Sequence, residues 1–291
     1  MKTKQKRSNT LWLTLSLVAL LALLIGIGIQ AALGLWRYQQ SRVIAGAALE
    51  RLSASYTVQT QEKREKRLSA LGGSREAAQP RLLALAAEKG EKQRDKHLEL
   101  LMLVNPWHSL PEGYVPELAP AVSTYQSNSG YQMDVRCTDE LHRMLDDCRM
   151  QGLEPYICSA YRTQEYQQML FDNKIERLID EGVSPENAPE EAATTVALPG
   201  TSEHQLGLAV DLIDESYPYL DQGQEWRETQ RWLMDNSWRY GFILRYPSGT
   251  SEITGIIYEP WHYRYVGREY AKIIHDLDVT LEEYLQLRNG R

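Results

Sequence analysis

Two short stretches of the chain hold the residues that could do chemistry together. The first is Ser202-Glu203-His204-Gln205-Leu206-Gly207-Leu208-Ala209-Val210-Asp211, and the second, about fifty residues on, is Tyr258-Glu259-Pro260-Trp261-His262-Tyr263. They offer two imidazoles and a carboxylate, His204, His262 and Asp211, as nitrogen and oxygen ligands. Three such ligands with a fourth position left for water is the donor set of a catalytic zinc site. Glu259, three residues before His262, is the type of group that serves as base for a metal-activated water. Asp211 stands among Leu208, Ala209, Val210, Leu212 and Ile213, where a carboxylate is costly unless a cation or hydrogen bonds hold it. Alone, Asp211 reads as a strand-end turn cap and His262 as a packed core histidine. Only their combination points to a single metal ion. His97, His108, His142 and His275 have no comparable carboxylate arrangement and are assigned no metal role.

The elements around these residues must bring them together. Gly207 lets the chain turn between His204 and a strand at 208–213. Thr163 is placed to cap a helix over 164–181, which Gly182, Ser184 and Pro185 end. Residues 137–151 show Leu141, Met144, Leu145 and Cys148 at the spacing of one buried helical face, with Thr138 as an imperfect cap. Short strands are expected at 101–105, 155–160, 242–246 and 256–258. Helices are expected at 226–240, 268–276 and 280–287. Strands and helices mix without a βαβ rhythm, which predicts an α+β domain with a mainly antiparallel sheet flanked by helices.

Charge is unevenly spread along the 291 residues. Residues 1–49 carry six basic side chains and no acidic one, a charge of +6 within a total of −7, so the remainder carries −13. Residues 11–36 are almost free of polar side chains, and about 20 apolar residues span a bilayer core. The run exceeds the apolar region of a cleaved signal, about 7 to 15 residues. A basic amino end before an apolar run predicts an uncleaved anchor with its amino end inside, and the acidic body argues against nucleic acid as partner. The chain is thus divided into a cytoplasmic tail at 1–9, a transmembrane anchor at 10–36, a helical stalk at 37–100 and a catalytic domain at 101–291. The stalk is rich in helix formers and could self-associate, although its apolar spacing is too irregular for a coiled coil. Three cysteines are present. Cys137 and Cys148, if on one helix, lie about 16 Å apart along its axis, too far to bridge. A pairing of Cys158 with either one stays open.

The quoted residues resemble a known family. Ser202-x-His204-x6-Asp211 with Glu259-Pro260-Trp261-His262-Tyr263-Arg264-Tyr265-Val266-Gly267 is similar to the VanY-type zinc D-alanyl-D-alanine carboxypeptidases of the M15 peptidases. Ser159-Ala160-Tyr161-Arg162-Thr163, and Leu103-Val104-Asn105 followed by Leu110-Pro111, match the same family in the same order. The resemblance spans about 101–276 and leaves out the anchor and the stalk. Pro106 and Trp107 depart from it, since many relatives carry a basic residue after the Asn105 position.

This resemblance implies a Hedgehog/DD-peptidase-like fold, with one zinc ion held by His204, Asp211 and His262 and with Glu259 as catalytic base. It implies Arg162 as the cation that meets the substrate's terminal carboxylate or the developing oxyanion, and Gln167 and Ser202 as contacts to the terminal residue. A guanidinium fork gripping a free carboxylate fits an exopeptidase. The expected activity is removal of the last D-alanine from peptidoglycan stem peptides outside the cell membrane. The alternatives are an L,D-carboxypeptidase acting on tetrapeptide stems and a non-catalytic wall-binding module of the same fold.

Overall fold

The computed structural model describes residues 95–121 and 130–288. The anchor expected at 10–36 and nearly all of the stalk at 37–100 lie outside them. Among the described residues no helix is long and apolar enough to cross a membrane.

Strands β1 (Leu118–Pro120) and β2 (Gln132–Asp134) form a small antiparallel ladder. The main sheet contains β3 (Pro155–Ser159), β4 (Ala209–Asp214), β5 (Phe242–Leu244) and β6 (His262–Tyr265) in the order β3-β4-β6-β5, antiparallel throughout. The longer helices are α1 (Val135–Met150), α2 (Gln164–Asp180), α3 (Ala188–Ala193), α4 (Glu228–Asn236), α5 (Arg268–Leu277) and α6 (Leu281–Arg288). This is the α+β architecture with an antiparallel sheet that the sequence predicts.

Alternation along the strands separates two functions. Val210 and Leu212 of β4, Tyr263 and Tyr265 of β6 and Phe242 of β5 face the larger core, where α1 contributes Cys137, Leu141, Met144, Leu145 and Cys148. Side chains of adjacent strand residues point to opposite faces, so Asp211, His262 and Arg264 occupy the other side. A second apolar cluster joins Ile243 and Val266 to Tyr270, Ala271 and Ile274 of α5 and Leu281 and Tyr284 of α6. Every one of these side chains is buried, at about 25 cal/mol per Å² of apolar surface removed from water.

Helix α2 runs as expected from its Thr163 cap, whose Oγ1 accepts from Tyr166 N at 3.2 Å. Helix α1 starts earlier than expected. Its cap is Asp134, not Thr138, because the Asp134 carboxylate accepts both from Arg136 N at 3.0 Å and from the Arg136 guanidinium. The strand expected at 101–105 is absent. A 3-10 helix occupies Asp95–Leu101, and the carbonyls of Leu100 and Met102 accept from the buried Arg264 guanidinium. The strand expected at 256–258 is absent too: Gly255 takes a left-handed φ of 79° and Ile257 N donates to Thr194 O. The sheet takes His262–Tyr265 instead. The helix expected over 226–240 is divided into 3-10 turns at Gln222–Trp226 and Ser237–Tyr240 on either side of α4. All three cysteines are free thiols.

Candidate metal centre and its cleft

Strand register assembles the first half of the site. Asp211 on β4 and His262 on β6 are direct cross-strand partners, which places their side chains on one face, a few ångströms apart. The third residue arrives from the loop before β4. Gly207, at φ 79°, turns that loop, and a side chain there would press within 3.1 Å of Pro116. The loop is pinned through His204: its carbonyl accepts from Arg162 N at 3.2 Å, and its Nδ1 lies 2.7 Å from Ala160 O. A hydrogen bond from Nδ1 to a backbone carbonyl leaves Nε2 with its lone pair free toward the sheet.

The result is a buried cluster. His204 Nε2 lies 3.2 Å from Asp211 Oδ2, and His262 Nδ1 lies 3.0 Å from Asp211 Oδ1. One ligand atom from each of His204, Asp211 and His262 falls within 4.8 Å of the others. Zinc bonds of about 2.0–2.2 Å set tetrahedral donors roughly 3.4 Å apart, so the spacing fits one such ion. The satisfaction of the polar atoms fits it as well. Asp211 Oδ1 is buried and, although His262 Nδ1 is 3.0 Å away, no donor meets it at hydrogen-bonding geometry, a costly state for a carboxylate oxygen that a cation removes.

Glu259 is brought in by its own N–H, which donates to Tyr246 O, and by the turn in which His262 N donates to Glu259 O. Its Oε2 lies 3.7 Å from His262 Nδ1. Burial pushes the Glu259 carboxyl up to about 8, with the Asp211 charge adding and His262 and Arg162 opposing. Burial lowers His204 to about 4. For His262 burial alone would disfavour the imidazolium, but the Asp211 and Glu203 carboxylates overcome it and hold the group up at about 9. Asp211 is held well below the carboxylate range by the two imidazoles, against its burial.

Arg162 is no surface side chain. Its Nε donates to Ser159 Oγ at 3.0 Å, its Nη1 to Gln167 Oε1 at 3.3 Å and its Nη2 to Asp211 Oδ2 at 3.2 Å. A guanidinium has five N–H donors, so one remains on each terminal nitrogen. Gln167 is buried and its amide N–H donates to Ala197 O at 2.7 Å. These residues open onto a cleft of about 550 Å³ lined by Arg162, Ser202, His204, Asp211, Glu259 and His262, with Tyr246, Ile256, Ile257 and Trp261 as apolar walls. All the expected metal, base and carboxylate-binding residues thus meet in one place; Gln167 reaches it through Arg162.

Four charged residues behind the site were not singled out from sequence. Glu203, Arg245, Arg264 and Glu282 are all buried. Glu203 Oε1 accepts from Arg245 Nε at 2.8 Å and from Arg264 Nη1 at 2.7 Å. Arg245 grips Glu282 with two further bonds of 2.9 and 2.7 Å. The available signal was a charge inside apolar strand sequence: Arg245 follows Phe242-Ile243-Leu244, and Arg264 lies between Tyr263 and Tyr265.

A buried His-Asp-His cluster with an adjacent glutamate, on an antiparallel sheet and opening onto a cleft, has the arrangement of a single-metal hydrolase. A family profile described as VanY, D-alanyl-D-alanine carboxypeptidase, matches residues 130–268. A D-alanyl-D-alanine carboxypeptidase of Enterococcus faecalis is 41% identical over 213 residues, covering 73% of this chain and 74% of the relative. Among solved structures, the vancomycin-resistance D,D-pentapeptidase VanY of the VanB-type cassette, a mutant in complex with Zn(II), is 42% identical at a TM-score of 0.57, covering 64% of this chain and 99% of that one. The LD-carboxypeptidase LdcB is 37% identical at a TM-score of 0.57, covering 64% and 86%. The chain belongs to the VanY family of D-alanyl-D-alanine carboxypeptidases. It is a metallo-carboxypeptidase, and His204, Asp211 and His262 offer the site for one metal ion.

Proposed function

We propose that this chain is a membrane-anchored zinc carboxypeptidase that removes the C-terminal D-alanine from peptidoglycan stem peptides. The observation that carries the reading is the convergence of His204, Asp211, His262, Glu259 and Arg162 on one cleft. Zinc would be held by His204 Nε2, an Asp211 carboxylate oxygen and His262 Nδ1. When bound it supplies Lewis acidity toward the scissile carbonyl and lowers the pKa of a water toward about 7. Glu259 in its ionised form takes the proton of the attacking water and delivers it to the leaving amine; burial opposes that form in the metal-free protein, and a cation bound beside it would favour it. Arg162, held by Gln167 Oε1, uses its two remaining N–H groups on the terminal carboxylate of the substrate, beside Ser202 in the cleft wall. An internal peptide bond has no free carboxylate there, which makes the reaction an exopeptidase one.

The basic tail at 1–9 and the apolar run at 10–36 support an anchor that holds the catalytic domain outside the cell membrane. The stalk at 37–100 would space the domain from the bilayer, and its composition suits self-association, which cross-linking of the full-length chain in membranes tests. A second reading is an L,D-carboxypeptidase acting on tetrapeptide stems, favoured by the likeness to LdcB. Incubation with pentapeptide and tetrapeptide stems, followed by mass spectrometry, separates the two. Loss of one D-alanine from the pentapeptide is expected; loss from the tetrapeptide alone would replace the first reading by the second. A wall-binding module without turnover would leave both stems intact.

A further inference from the structure

The buried charge cluster behind the metal centre is joined to it at one point. Oε1 of Glu203 is fully used by Arg245 and Arg264. Oε2 of the same carboxylate faces His262 Nε2 at 3.6 Å. Both of these atoms are buried and neither has another hydrogen-bond partner. The other ring nitrogen, Nδ1, faces Asp211 and Glu259 at 3.0 and 3.7 Å. The separation of 3.6 Å is a little longer than a hydrogen bond, but a proton on Nε2 has nowhere else to go, and leaving both atoms unpaired would forfeit the solvation of each.

We infer that Glu203 is a positioning residue for His262: it accepts the Nε2–H, fixes the ring in the tautomer whose Nδ1 lone pair faces the metal, and is itself held by the two buried arginines. The inference rests on the zinc reading above. A metal-bound histidine commonly donates its other ring N–H to a carboxylate that sets ring orientation and basicity. Here that carboxylate cannot swing away, because Arg245 and Arg264 grip its other oxygen. The grip reaches further. Arg245 pairs with Glu282 at the start of α6, Glu282 accepts from Asn105 Nδ2 at 3.1 Å, and Arg264 donates to the carbonyls of Leu100 and Met102. The segment before β1 and the C-terminal helix therefore close around the back of a metal ligand. A bland account, in which Glu203 serves only to neutralise two arginines, predicts no special link to His262.

Two measurements on the full-length chain separate these accounts. In the zinc-loaded protein labelled with 15N-histidine, His262 should show a protonated Nε2 and a metal-bound Nδ1. A metal-bound Nε2 with a protonated Nδ1 would overturn the inference, and this readout needs no variant to fold. Zinc affinity, by chelator competition, should fall about 10- to 100-fold in E203Q, because its amide can present N–H to Nε2 and favour the opposite tautomer. E282Q unpairs the same Arg245 without touching His262; it should lower the melting temperature while leaving zinc affinity within about threefold. Equal losses of affinity in E203Q and E282Q, or none in E203Q, would leave only the bland account. Failure of the wild-type chain to bind zinc would instead bring down the zinc reading itself, and this inference with it.

Discussion

Two clusters of buried charge lie back to back in this domain, and they are finished differently. In the rear cluster Glu203, Arg245, Arg264 and Glu282 carry two negative and two positive charges, every arginine nitrogen has a partner, and the one bare carboxylate oxygen, Glu203 Oε2, is the one that faces His262. In the front cluster the polar atoms of His204, Asp211, His262 and Glu259 crowd together with a carboxylate oxygen left bare. Both clusters are buried, so desolvation penalises charge in each. Where opposite charges answer it, the result is a rigid support. Where they do not, perturbed protonation marks the place where a cation and a substrate belong.

The comparison can be broken most severely at the front. E259Q should lower kcat by about 10² to 10⁴-fold while zinc stoichiometry, read by metal analysis, stays at one. An unchanged kcat would remove the base from the mechanism. At the rear, R245M should leave Glu203 and Glu282 buried with half their partners, costing roughly 3–5 kcal/mol of stability, as read by denaturant unfolding. A cost below about 1 kcal/mol would mean that the rear cluster is not the support described here.

The pH dependence of metal binding sharpens the contrast further. His262 is raised to about 9 in the metal-free protein, so below that pH zinc must displace its proton. Zinc affinity should therefore rise about tenfold per pH unit up to about 9. The sign for the metal-free fold is opposite: the stability contributed by protonated His262 is complete below the ordinary imidazole pKa of about 6.5 and is lost as pH rises through about 9. A flat zinc affinity over that range would show that His262 is not a ligand. The smallest effect belongs to an ion pair in water. Arg268 and Glu140 meet at 2.6 Å with the arginine half exposed, and E140Q should cost less than about 1 kcal/mol and leave zinc affinity alone.

Much of this was legible along the chain. His204, Asp211, Glu259 and His262 announce themselves because a metal needs those donor types, and Asp211 in an apolar strand is conspicuous. Helix α2 was legible from Thr163 to its end because capping and breaking are local. The segments 101–105 and 256–258 differ from their strand pattern for the opposite reason. Their apolar runs satisfy a local pattern, yet their backbone groups bond to Arg264 and Thr194, partners 162 and 63 residues away.

By itself the amino-acid sequence determined the antiparallel α+β class and the apolar face of α1, and it supplied the donor types and the carboxyl proposed as ligands and base, since each follows from residue chemistry or short-range periodicity. Only the tertiary structure decided that Asp211 and His262 stand opposite each other across β4 and β6, that Arg162 turns inward to Asp211, and that Glu203 is clamped by Arg245 and Arg264 behind His262. Those facts depend on strand register and on side chains that meet through folding, and no local spacing encodes such a meeting.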